Sequence, residues 1–136
     1  MKEENPHNRE LVRLLREALP RGVTYKHNDM STKGIPDISV TYRARTIWIE
    51  GKFEDDTARI DGGCLTISPT NIDGLQWETL RKMGNGYLCI YTNCGVALTH
   101  VNGFRRSVGL LRLRLRSTNA VVKQIVNIVK KGEEEE

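Results

Sequence analysis

Gly34-Ile35-Pro36-Asp37-Ile38-Ser39-Val40-Thr41-Tyr42 and, just beyond it, Thr46-Ile47-Trp48-Ile49-Glu50-Gly51-Lys52-Phe53 form the stretch on which the fold turns. Pro36 to Tyr42 and Thr46 to Phe53 each alternate with the period of two that marks a half-buried strand. A tight turn joins them, so they read as a hairpin. With the turn centred between Arg43 and Ala44, residues pair when their numbers sum to 87. Asp37 then faces Glu50, with the two Cβ atoms about 5 Å apart on one side of the sheet. A symmetric four-residue loop keeps the same register. Lys52, two residues beyond Glu50, points to that side as well. The other side collects Ile38, Val40, Ile47 and Ile49, a continuous apolar surface for helices to cover. The register that buries the isoleucines therefore gathers two carboxylates and a lysine.

Working outward, Asn8 reads as an N-cap. Leu11, Leu14, Leu15, Ala18 and Leu19 then recur at helical spacing, and Pro20 and Gly22 stop the helix near residue 19. Val23 to His27 reads as a short strand. Glu54 to Gly63, acidic and Gly-rich, reads as a mobile loop. A second helix begins at Thr70 or Asn71 and ends near Met83 at Gly84-Asn85-Gly86. Tyr87 to Thr92 and Val96 to Val101 read as strands around an Asn93–Gly95 turn, and Leu110 to Arg116 alternates strictly. Asn119 to Lys131 reads as a final helix, although its β-branched residues leave a strand open. Such a helix either covers the sheet or docks on a second subunit. The expectation is a mixed α/β domain bordering on α+β.

The 136 residues carry 21 Lys+Arg and 17 Asp+Glu, a formal +4. Setting aside Glu133, Glu134, Glu135 and Glu136 takes the acids from 17 to 13 and the charge from +4 to +8. The reading is one basic domain, 1–132, with an acidic tail, 133–136, and a basic body of this kind suits a polyanionic partner. No apolar run approaches the ~20 residues that span a bilayer, and the N-terminus lacks a signal-peptide pattern. Three cysteines without CxxC spacing suggest a reducing, cytoplasmic compartment. Cys64, Cys89, Cys94 and His100 match no usual zinc spacing, and Cys89 sits in a run that reads as buried.

Two carboxylates at hairpin distance repel unless something positive lies between them. A divalent cation suits them: Mg²⁺ takes one or two carboxylates together with waters and a substrate phosphate. The Gly51 carbonyl is placed to add an oxygen, and Lys52 to orient a water and offset charge on a phosphate. A functionless surface ion triad is the plainer alternative. It is the weaker one, because Asp37 follows Pro36 where a strand begins and Glu50-Gly51-Lys52 sits mid-strand behind Trp48.

Pro36-Asp37 followed by Glu50-Gly51-Lys52 resembles the signature of the PD-(D/E)xK nuclease superfamily. Gly34 to Ile38, Trp48 to Lys52, Leu65-Thr66-Ile67-Ser68-Pro69 and a helix bearing Gln76 are together similar to its VRR-NUC branch, and more distantly to the archaeal Holliday-junction resolvases. The likeness runs from Glu10 to Thr92. It implies a restriction-endonuclease-like core, a central mixed sheet flanked by helices, in the order α-β-β-β-α-β-β. It further implies an Mg²⁺- or Mn²⁺-dependent endonuclease, structure-selective on DNA, without a small-molecule cofactor. In that pattern Asp37 and Glu50 are metal ligands, Lys52 is the catalytic lysine and Gln76 lies near the site. A first-helix glutamate completes the metal set, and Glu10 is preferred to Glu17 by its place in the pattern. Resolvase-like nucleases act as dimers, which makes a homodimer the implied assembly, and stand-alone domains of this kind occur in phages. The competing class is a catalytically inactive nuclease-fold module that only binds nucleic acid or regulates.

Beyond the motif, Lys26 and Lys33 flank the active strand as phosphate contacts. Arg112, Arg114 and Arg116 alternate with leucines, which gives a strand with one basic face. That face meets a DNA backbone or merely protects a sheet edge. Aromatic residues make up only 6% of the chain, which favours backbone binding over base stacking.

Overall fold

The computed structural model describes residues 4–27, 35–54, 60–67, 74–101 and 111–134, with the backbone alone at 4, 74–77 and 132–134. Helix α1 (Glu4–Ala18) leads into strand β1 (Val23–Lys26), and β2 (Ile38–Tyr42) and β3 (Arg45–Phe53) form the hairpin. Strands β4 (Ile60–Asp61) and β5 (Cys64–Ile67) precede α2 (Gly74–Met83). Then come β6 (Gly86–Thr92), β7 (Gly95–His100), β8 (Leu111–Arg114) and α3 (Thr118–Glu134).

The hairpin register is the one the alternation predicts. Ile38 pairs with Ile49, Val40 with Ile47 and Tyr42 with Arg45, each pair summing to 87. The turn places Arg43 at φ 55°, in the left-handed region. β1 joins β2 antiparallel, β6 joins β3 parallel and β7 joins β6 antiparallel, giving a five-stranded mixed sheet in the order β1-β2-β3-β6-β7. A parallel neighbour needs a crossover, and α2 lies in the segment that connects β3 to β6.

Ile38, Val40, Ile47 and Ile49 are fully or almost fully buried with Leu11, Val12, Leu15 and Leu19 of α1 and Val121, Val122, Ile125 and Val129 of α3. The final segment is thus helical despite its β-branched residues, because burial against the sheet outweighs their propensity. Its apolar face packs on α1 and the sheet. On the other side of the sheet Leu88 and Ile90 pack with Leu65, Ile67, Leu80 and Val101. This is a mixed α/β fold with a central sheet flanked by helices.

Two expectations are corrected. Glu54 to Gly63 is not a plain loop: β4 and β5 form a hairpin through Gly62 and Gly63, both at positive φ, and β8 adds to make a second, three-stranded antiparallel sheet. Residues 55–59 of that segment lie outside the described ones. Asn8 is not a cap, since α1 already begins at Glu4 and Asn8 is buried within it. The backbone of α3 runs through Glu134, and residues 135 and 136 lie outside the described ones.

Candidate active site

Asp37 stands one residue before β2, next to the end pair Ile38↔Ile49 of the hairpin. The backbone oxygen of Asp37 accepts from the His27 amide at 2.7 Å, so β1 stays paired with the chain as far as Asp37. The Asp37 carboxylate does not stand alone. Its Oδ2 accepts the Gly51 amide at 3.1 Å and the Asn8 side-chain amide, also at 3.1 Å.

Asn8 is 1% exposed. The Tyr91 hydroxyl donates to its Oδ1 at 2.5 Å, which fixes which end of the amide faces Asp37. With Oδ1 accepting, Nδ2 must be the end that donates to the carboxylate. His7 stacks on Tyr91 (centroids 4.9 Å apart, planes at 18°) and on Phe53 (5.3 Å, 14°), walling in this relay. Gly51 is required beneath it: a Cβ there would lie 2.9 Å from Asn8 Cγ.

Glu50 is 4% exposed, and its β6 neighbour is Leu88, which belongs to the second core. A carboxylate so far from water interacts strongly with any charge brought near it. Lys52 follows on the same side of β3, half-buried, opposite Ile90. Asp37, just before β2, is thus tied through the Gly51 amide to β3 between Glu50 and Lys52.

Glu10 is placed elsewhere. It lies two residues, about 200° around the helix, from Asn8. Its carboxylate is 51% exposed and pairs with Arg13, whose hydrogen bond holds it below the usual carboxylate range. The α1 residue that touches the motif is Asn8. A signal for it was present: Asn8, Leu11, Val12 and Leu15 stand at i, i+3, i+4 and i+7, so Asn8 is a polar residue within the apolar stripe. A buried amide there requires partners.

Gln76 is carried on α2, and its side chain lies outside the described residues, as does Lys33. Lys26 turns toward α1, where it lines a cleft of about 400 Å³ with Arg9, Arg13, Arg16 and Glu17. Arg112 and Arg114 are exposed on β8 while Leu111 and Leu113 pack inward, as the alternation requires. Arg116, also exposed, exchanges two 2.8 Å backbone bonds with Val96 and ties β8 to β7.

Among the described residues no group of three or more His, Cys, Asp or Glu side chains gathers as a metal centre. The candidate donors are the carboxylates of Asp37 and Glu50 and, as the sequence suggests, the Gly51 carbonyl. That all-oxygen set fits a hard divalent cation that keeps waters and substrate oxygens in its remaining positions. Cys64, Cys89 and Cys94 are unbridged thiols; burial pushes that of Cys89 up to about 12.

The sheet thus carries Glu50 and Lys52 on β3, with Asp37 at the entry to β2. Among solved structures it is similar to Archaeoglobus fulgidus Hjc, described as a Holliday junction resolvase from an archaeal hyperthermophile. The TM-score is 0.56 and the identity 15%, over 90% of this chain and 97% of that one. No family model and no curated protein matches the sequence.

Proposed function

We propose that this protein is a divalent-metal-dependent endonuclease of the PD-(D/E)xK type, acting on DNA and belonging with the VRR-NUC-like and resolvase-like nucleases. The observation that carries the reading is the bond from the Gly51 amide to Asp37, which ties that carboxylate to β3 between Glu50 and Lys52, inside a fold similar to that of a resolvase. A triad kept by chance has no need of a second-layer relay, yet Asn8, Tyr91 and the Gly51 amide all serve to hold Asp37.

Asp37, Glu50 and the Gly51 carbonyl would hold Mg²⁺ or Mn²⁺. When bound, the cation supplies Lewis acidity toward a phosphate oxygen and lowers the pKa of a bound water. Asn8 and the Gly51 amide orient the Asp37 carboxylate by donating to one of its oxygens, leaving its direction set before substrate arrives. Lys52 brings a positive charge to the scissile phosphate, where negative charge builds as the phosphodiester is attacked. The nearly water-free setting of Glu50 strengthens both effects. The α1–β1 cleft with Arg9, Arg16 and Lys26, and the arginines of β8, offer cations for the phosphate backbone on either side of the sheet.

The test is cleavage of plasmid, flapped and four-way-junction DNA with Mg²⁺, Mn²⁺ or EDTA, using the wild type, Glu50→Ala and Lys52→Ala. Metal-dependent cutting that both substitutions abolish is expected. Tight DNA binding with no cutting of any substrate would instead identify the inactive binding module.

A further inference from the structure

We propose that Tyr25, His27 and Trp48 form a platform that stacks an unpaired nucleobase, making the substrate a DNA with an unpaired nucleotide beside the scissile phosphate. The inference rests on the nuclease reading for the position of that phosphate. Tyr25 pairs with Ser39, and Ser39 with Trp48, so one row crosses β1, β2 and β3. Ser39 alternates with Ile38 and Val40, which face the α1–α3 core, so this row belongs to the sheet side away from those helices.

The His27 ring lies over the row. Its Nε2 is 2.8 Å from Ser39 Oγ, and its centroid is 5.4 Å from Trp48 and 6.3 Å from Tyr25. Ser39 is buried beneath the rings at 5% exposure, whereas Tyr25 is 58% exposed. Among the described residues, Tyr25 and Val23 are the exposed large hydrophobics, and both are on β1.

Three features select a base as the occupant. The row of Ser39 and Trp48 is two residues from that of Asp37 and Glu50, about 7 Å along the strands. A nucleotide whose phosphate lies at the carboxylates therefore has its base within reach of the rings. The body of the chain is strongly basic, so a polyanion is drawn to it. A second copy of the chain is disfavoured by size, since a stable dimer buries about 800 Å² per partner and this patch offers two large apolar side chains. Bases inside a duplex are stacked on each other, and only an unpaired base has a face to give to the rings. The low aromatic content thus misleads, because placement decides stacking and the total does not.

The measurement is fluorescence of 2-aminopurine placed as a single-nucleotide bulge in a short duplex, titrated with protein in EDTA so that no cutting occurs. Quenching is expected, with the bulged duplex bound roughly ten-fold more tightly than its fully paired counterpart. Tyr25→Ala should remove both the quenching and the preference while binding the paired duplex like the wild type; Tyr25→Phe should keep them. Equal affinity for bulged and paired duplex, absent quenching, or an equal loss on both duplexes in Tyr25→Ala would overturn the proposal. So would a wild-type dimer in light scattering that Tyr25→Ala splits, which would assign the face to a second copy. Quenching and preference in a protein that cuts nothing with Mg²⁺ would uphold the platform and sink the nuclease reading. Cutting without the preference would do the reverse.

Discussion

Replacing Asn8 by aspartate tests the relay that seats Asp37, and its cost can be worked from the geometry. The substitution is nearly isosteric, but it exchanges the amide donor 3.1 Å from Asp37 Oδ2 for an oxygen. Two carboxylates centred ~4 Å apart repel by about 4 kcal/mol at an effective dielectric of 20. The alternative is for one of them to keep a proton. At pH 7, against the ordinary aspartate value of about 3.9, that costs about 1.4 kcal/mol for each pH unit above it, again about 4 kcal/mol. The two routes agree, so Asn8→Asp should lose about 4 kcal/mol at pH 7.

The loss depends on pH in a fixed direction. The raised carboxyl is protonated in the native state and ionised in the unfolded chain between the two pKa values, so the stability of the variant falls as pH rises. Near pH 5 the penalty should shrink to about 1.5 kcal/mol, because the protonated acid can donate to Asp37 much as the amide does. Urea unfolding of both proteins at pH 5, 6 and 7 measures this difference, and added Mn²⁺ should recover part of it by placing charge between the carboxylates. A variant as stable as the wild type throughout, or one with a penalty independent of pH, would refute the relay.

Gly51→Ala should destabilise by about 1–3 kcal/mol, the usual cost of overpacking, because its Cβ meets Asn8; thermal unfolding checks it. Arg43→Gly should instead stabilise by about 0.5 kcal/mol, by relieving a left-handed φ at the hairpin turn at some cost in chain entropy, as read by urea midpoint. In native protein at pH 8, a thiol reagent should label exposed Cys94 fast and leave Cys89 unmodified until unfolding. The Cys89 thiol titrates near 12 and so is almost wholly protonated at that pH.

The hairpin was legible because strand alternation has a period of two and the turn is short. Once Ile38, Val40, Ile47 and Ile49 must share a buried face, no other register serves. The stripe of α1 was legible for a like reason, and the arginine and leucine faces of β8 follow from the same alternation. Asn8 was misread, because a lone asparagine near a helix start looks like a cap until the chain is known to turn four residues earlier. Glu10 was favoured by its place in a family pattern, whereas the helix turns it to solvent and Arg13.

Local pattern therefore determined which residues of β2 and β3 share a face, and singled out Asp37, Glu50 and Lys52 as candidates. Only the tertiary structure decided what surrounds them. The parallel pairing of β3 with β6 brings Tyr91 within reach of Asn8, 83 residues away in sequence. The antiparallel pairing of β1 with β2 carries His27 over Ser39 to Trp48. Contacts between residues so far apart depend on strand order, which no short-range periodicity encodes.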